Sequence, residues 1–395
     1  MAQGALSGFG RPGATDMSSP PTEIPRGIDL VVLPLFNLAL AFAVSALLLL
    51  AIGQSPLQVL SLLVKGAFGS AAGISYTLYY ATTFVFTGLA VAVAYHCGLF
   101  NIGGEGQAMM GGLGAALAAL AFGEVLPAWL LLPLMVLLAI AFGVAWAALP
   151  GALQAWRGSH IVITTIMFNF IASTLLIYLL VNVMKEPGNM SPESRAFGPG
   201  ARLPGMHDLM GAFGIAWPHT PLNASLLLAV AALVGVYLLL WRSQLGYALR
   251  AVGLAPDAAV YAGLHPRPLI VVAMAISGGL AALVGINEIV GVHGRLIADF
   301  VAGAGFTGIA VSLIGRNHPV GIALASLLFG ALYQGGAELA FEIQGFSRDM
   351  VVTLQGLIVL FAGALSQVAA PWLARGWFAL RRVLATGAAT EAVHG

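Results

Sequence analysis

The residues of this chain that could do chemistry are acids and amides lying inside long apolar stretches. Asn101, Glu105 and Gln107 stand together in Asn101-Ile102-Gly103-Gly104-Glu105-Gly106-Gln107. A carboxylate at the bilayer centre costs at least about 2.5–3.5 kcal/mol on insertion scales, so such a residue is expected to face a bundle interior or a cavity. On a helix, Asn101 and Glu105 are four apart and share a face. Two readings stand: a hydrogen-bonding patch on a permeation path, or a helix start with Asn101 as N-cap and Glu105 favoured by the positive helix end. Asn169 lies near the middle of another apolar stretch, where a lone amide more often makes an interhelical hydrogen bond than a ligand contact. Asn287 and Glu288 close a further stretch, followed by His293 and Arg295. Glu288 either faces a cavity or pairs with Arg295, while Glu338 and Glu342, one turn apart, read as a solvated helix end.

Other chemistries are excluded. The two lysines, Lys65 and Lys185, do not follow glycines, so a Walker A phosphate loop cannot be built. HExxH and GxSxG are both missing. Cys97 is the single cysteine, too few for an internal disulfide or a multi-thiolate metal site. With a net charge of +1 there is no basic field for nucleic acid.

The elements that position these groups must be membrane helices. The 395 residues include 16 Lys and Arg and 15 Asp and Glu, are 59% hydrophobic and have a mean hydropathy of +0.95. Charge-free windows run over 30–64, 66–104, 106–123, 125–156, 158–184, 209–241, 268–287, 300–315, 317–337 and 350–374. A spanning helix needs about 20 such residues. The expected fold is therefore all-α, a polytopic transmembrane bundle with about ten spans. These lie near 30–53, 75–95, 101–123, 127–150, 161–183, 222–241, 268–291, 303–315, 319–340 and 350–370. Eight to ten are full crossings, and the rest are broken or re-entrant. Residues 1–27, rich in Gly, Pro and Ser, read as a disordered tail. The transmembrane region fills 28–370, and 371–395 is a second tail. Glycine clusters at Gly98–Gly114 and Gly303–Gly315 interrupt the apolar pattern as broken helices do where irregular backbone lines a cavity. Their placement hints at two weakly related halves, roughly 30–183 and 222–370.

Arginine and lysine placement sets the orientation. Both termini are expected in the cytoplasm, which puts Arg11, Arg26, Arg157, Arg242, Arg250, Arg267, Arg316, Arg375, Arg381 and Arg382 inside. Lys65, Lys185, Arg195, Arg202, Arg295 and Arg348 fall outside, three of them in a long polar loop, 184–221. Between the sixth and seventh spans, the cytoplasmic loop 242–265 carries a short helix of about two turns. Pro256 stands at its first position, small residues at 258, 259 and 262, and a stopping Gly263. Such a helix suits either a groove on another protein or a plain interfacial connector.

Three segments together resemble one family. GLFNIGGEGQAMMGG (98–112), RAVGLAPDAAVYAGL (250–264) and GFTGIAVSLIGRNHPVGI (305–322) are similar to the permease subunits of bacterial ABC importers for simple sugars and branched-chain amino acids. HIVITTIMFNFIA (160–172) and EIVGVHGRL (288–296) look most like the nucleoside-type permeases that work with basic-membrane-protein-type lipoproteins.

The resemblance implies a multi-pass protein of the bacterial inner membrane that pairs with a second permease, identical or homologous. Two separate ATPase subunits bind ATP and Mg²⁺, a substrate-binding lipoprotein delivers solute, and this chain is a transport subunit without catalysis or cofactor. It also makes 250–264 the coupling helix, with Arg250, Gly253, Ala258, Ala259 and Gly263 on its pattern, so that Ala259→Arg is expected to block ATPase assembly. Asn101, Glu105, Gln107, Asn169, Glu288 and Phe306 are expected on or beside the path, with Phe306 stacking on a base or filling an interface. Nucleosides are the expected solute. A monosaccharide is the alternative, and an ion-coupled secondary transporter is the alternative of another class.

Overall fold

The computed structural model describes residues 33–186, 188, 190–343, 350–353, 355–357 and 360. The expected tails, 1–27 and 371–395, and most of the expected span 350–370 lie outside them. The chain divides into two compact units, 1–43 with 360–395, and 44–359. The first is described only at the beginning of α1 (Leu33–Ala51) and at residue 360.

The second unit holds the rest of α1, then α2 (Pro56–Phe68), α3 (Ala71–His96), α4 (Gly104–Phe122), α5 (Ala128–Arg157) and α6 (Ile161–Leu179). The 184–221 segment contains α7 (Met206–Ala212), and after it come α8 (Ser225–Arg242), α9 (Gln244–Leu254), α10 (Pro256–Tyr261), α11 (Pro266–Gly285), α12 (Ala304–Ile314) and α13 (Pro319–Glu342). Wider π-helical turns extend α6 over Leu180–Met184 and α11 over Ile286–His293. The described residues form isolated β-bridges but no strands.

Six helical stretches among the described residues are long and apolar enough to cross a membrane. They become seven if α1 and α2, bent by 119° at the break after Ala51, count as one span. This differs from the expected ten for identifiable reasons. The segment 101–123 forms α4, whose Gly-Glu-Gly-Gln start lowers its apolar character, and 303–315 forms α12, only 11 residues long. Each begins at one of the two glycine clusters.

Helix α3 is the hub. From Ala81 to Ala94 its side chains are buried on every side, so this part behaves as a helix enclosed by others rather than one with a lipid face. Some of its hydroxyls are satisfied within the helix, as where Thr82 Oγ1 donates to the Leu78 carbonyl at 2.8 Å. Close approach elsewhere depends on missing side chains. A Cβ on Gly278 of α11 would lie 2.3 Å from the Gly143 carbonyl oxygen of α5, and one on Gly111 of α4 would lie 2.5 Å from Ala282 of α11. In a bilayer such contacts supply much of the association energy.

Described residues of the segment 184–221 are tied to one another and to the rest of the chain by isolated bridges. Lys185 bridges to Ser194, Glu193 to Ile297 and Gly205 to Asn223. Arg295 Nη1 also donates to Glu193 Oε1 at 2.8 Å, so this ion pair replaces the one anticipated between Arg295 and Glu288.

Candidate functional site

The two broken helices meet at their starts, and Glu105 joins them. Its Oε1 accepts from the Gly303 N–H and its Oε2 from the Gly305 N–H, each at 2.8 Å. The carboxylate therefore caps the N-terminus of α12, across the bundle, rather than favouring its own helix alone. Glycines make room: a Cβ on Gly305 would stand 2.3 Å from the Glu105 nitrogen. Charge-assisted bonds to two amides are strong ones, so the contact fixes one helix start on the other.

Asn101 and Gln107 organise the break before α4. Asn101 Oδ1 accepts from the Gly103 N–H at 2.8 Å and from Gln107 Nε2 at 3.1 Å. Its Nδ2 donates to Gln107 Oε1 at 2.9 Å and to Ser277 Oγ at 2.8 Å. Ser277 Oγ in turn donates to the Ala90 carbonyl at 2.6 Å. Ala90 lies six residues before the end of α3, so the break reaches about 9 Å in from that end. From α6, Asn169 Oδ1 accepts from the Gly106 N–H and Nδ2 donates to the Ile102 carbonyl, both at 2.9 Å. All four side chains are buried. Their polar atoms are turned toward one another, toward Ser277 and toward the chain's own backbone. Phe306, by contrast, is 49% exposed at the first turn of α12.

Glu288 belongs to a second network, nearer the opposite end of α3. Its Oε2 accepts from the Tyr79 hydroxyl, and its Oε1 accepts from Thr83 Oγ1 at 2.8 Å and from Asn287 Nδ2 at 3.3 Å. Asn287 Oδ1 accepts from Ser225 Oγ at 2.6 Å and from Asn223 Nδ2 at 3.1 Å. The π-helical turn at 286–293 presents Glu288 to α3 and lets Asn287 bridge α8 and α3, since its Nδ2 also donates to Thr83 Oγ1 at 2.8 Å. Glu288 is thus separate from the Glu105 cluster, and the structure does not bring the six expected pathway residues to one place.

At the end of the bundle where α3 finishes, α9 packs against it and α10 is exposed except at Ala259. Pro256 opens α10 as expected and Gly263 closes it at φ +83°. A Cβ on Gly253 would lie 2.3 Å from the His96 carbonyl oxygen, so this glycine seats α9 on the end of α3. Ala259 is buried in a cluster with Leu249 and Val252. Ala258, Asp257, Val260 and Tyr261 are exposed, Tyr261 at 94%. Arg250 is half-buried and close enough to His96 to act on it electrostatically. Among the described residues, no group of three or more His, Cys, Asp or Glu could hold a metal ion.

Residues 73–363 match the family described as branched-chain amino acid transport system / permease component. The chain belongs to that family. It is 35% identical over 330 residues to the glucose ABC transporter permease of Haloferax volcanii, covering 83% of this chain and 86% of the relative. It is 33% identical over 340 residues to a nucleoside ABC transporter permease of Lactococcus lactis (84% and 90% covered). It is 33% identical over 335 residues to a guanosine ABC transporter permease of Bacillus subtilis (85% and 93% covered). Each of the last two organisms has a second permease of the same kind that matches at 28% identity. No solved structure matches the chain.

This ABC transporter permease is accordingly a multi-pass membrane transport subunit and not an enzyme. Acids and amides in apolar stretches point to Glu105, Asn169 and Glu288, but not to the hydroxyls that hold Glu288. Ser75, Tyr79, Thr83 and Thr87 recur every fourth residue in α3, and that spacing was a readable sign of a polar stripe on one helix face. Two of these permease residues, Tyr79 and Thr83, hold Glu288.

Proposed function

We propose that this permease moves nucleosides into bacteria across the inner membrane, powered by ATP bound with Mg²⁺ on separate ATPase subunits. The observation that carries the solute class is the pair of nucleoside and guanosine permeases at 33% identity, each covered over at least 90% of its length. Their second permeases support pairing with a homologous partner. A substrate-binding lipoprotein delivers the solute at the face formed by the 184–221 loop, and both termini lie in the cytoplasm with the 242–265 loop. There the exposed side of α10 docks into the ATPase, Arg250 and Gly253 seat α9, Ala259 holds α10 to the permease, and Gly263 ends it.

In this reading the two glycine-based helix starts form a joint that shifts when ATP draws the ATPases together. Asn101, Glu105, Gln107 and Asn169 position that joint beside the path, Glu288 braces α3 against α8 and α11, and Phe306 faces the path.

A second reading, glucose transport, is favoured by the Haloferax relative at 35% identity. The deciding experiment is uptake of labelled guanosine and glucose by vesicles holding this chain, its second permease and the ATPase, supplied with the lipoprotein. ATP-dependent guanosine uptake is expected. Glucose uptake without nucleoside uptake would refute the proposal, and gradient-driven uptake by this chain alone would refute the importer class.

A further inference from the structure

We infer that His96 is a positioning residue that ties α9, which carries the docking helix α10, to α12, so that movement at the docking face reaches the helix joint. This rests on the docking of α10 proposed above. His96 ends α3 and touches two elements at once. Its backbone carbonyl abuts Gly253 of α9, where a Cβ would come within 2.3 Å. Its side chain meets the turn between α12 and α13. A carbonyl can only accept, so Nε2 carries the proton and donates to the Asn317 carbonyl at 3.1 Å.

The turn that receives this bond is strained. Arg316 and Asn317 both stand in the left-handed region, at φ +54° and +53°, where residues other than glycine persist only if their surroundings hold them. Asn317 is buried. Its N–H donates to the Ser312 carbonyl at 2.7 Å, and its Oδ1 accepts from Ser312 Oγ at 2.8 Å, both on α12. The α13 side is closed as well, because a Cβ on Gly321 would lie 2.2 Å from the Gly315 carbonyl oxygen. The His96 ring is itself wedged in place. Trp241 of α8 lies edge-on to it, ring centroids 5.3 Å apart, and packs against His318 at 4.8 Å. His318 Nδ1 accepts from the Val320 N–H at 3.3 Å and so caps α13.

Helix α12 is therefore tied by hydrogen bonds from another helix at each of its ends. Glu105 of α4 binds its start, and His96 of α3 binds the turn at its finish. The helix has 11 residues, about 15 Å from end to end, and so short a helix carries a shift of the turn to the Glu105 joint with little bending. Loss of the His96 bond lets the left-handed turn relax. That supplies the second arrangement which coupling between two sites requires.

The test is the amount of solute moved per ATP hydrolysed by the assembled transporter in vesicles, with lipoprotein loaded with guanosine, or with glucose if the wild type carries that alone. His96→Phe keeps a ring against Trp241 but has no donor. It should lower the ratio at least about fivefold, the low end of couplings between sites, while ATPase co-purification and the melting temperature stay at wild-type values. His96→Gln offers an N–H in place of Nε2 and should recover the ratio to within about twofold. Ser312→Ala frees the turn from its α12 side and should lower the ratio in the same direction; it decides the matter if His96→Phe yields no folded protein. A wild-type ratio in folded His96→Phe overturns the inference. Equal losses in the Phe and Gln variants, with lowered melting temperatures, would make His96 a packing residue and overturn it too. If the wild-type chain retains no ATPase, the docking proposal falls and the inference with it, so the two failures are read in different proteins.

Discussion

Glu105 can accept two backbone amides only as a carboxylate, because a glutamine offers one oxygen and turns an NH₂ toward the other N–H. Glu105→Gln should therefore leave one buried donor unmatched and lower stability by about 1–3 kcal/mol. A fall in the detergent melting temperature, together with lost transport, is the expected result; an unchanged melting point would remove Glu105 from the joint. The Glu288 network permits a parallel check. Tyr79→Phe removes one of the donors to a buried carboxylate, again costing about 1–3 kcal/mol, and Thr83→Val should add a further loss because both hydroxyls serve the same group. Strict additivity of the two variants in thermal unfolding would show that the hydroxyls act independently. Where an acid would lie was legible from composition alone, since few charges interrupt the apolar windows. Its partner was not, because Glu105 is bonded 198 and 200 residues away along the chain.

At the scale of an element, α10 shows what local sequence can and cannot fix. Its start at Pro256 and its stop before Gly263 follow from φ restriction at proline and freedom at glycine. Which side faces outward is set elsewhere, by the seating of Gly253 on the end of α3. Ala259 consequently points into the permease, and Ala258 takes the exposed position. The expectation for Ala259→Arg changes accordingly: a buried charge there should unseat α10 and reduce the yield of folded protein. Ala258→Arg should leave the yield intact and abolish co-purification of the ATPase. Normal co-purification of the Ala258 variant would argue that α10 is an interfacial connector. The spans of α3, α5, α6, α8, α11 and α13 were likewise legible as charge-free windows. Helix α2 was not, because Pro56–Phe68 is too short to register as a crossing and is defined by its bend from α1.

For the whole molecule, the abundance of glycine was readable as close packing, but not which glycines pack. The answer lies in pairs distant in sequence. Gly143 and Gly278 lie opposite each other where α5 meets α11, and a Cβ on either would collide with the other's carbonyl oxygen, at 2.4 Å and 2.3 Å. Backbone obstructs both, so neither contact can relax by turning a side chain. Gly235, on the exposed side of α8, has nothing within 4 Å of a built Cβ. Gly278→Leu should therefore force α5 and α11 apart, cost upward of about 1–3 kcal/mol from overpacking and sharply reduce monodisperse protein on size-exclusion chromatography. Gly235→Leu should leave the elution profile unchanged. Equal behaviour of the two variants would mean that the bundle is not held by the α5–α11 approach. In that case the rigid frame supporting the Glu105 joint would have to be sought in the contacts of α3.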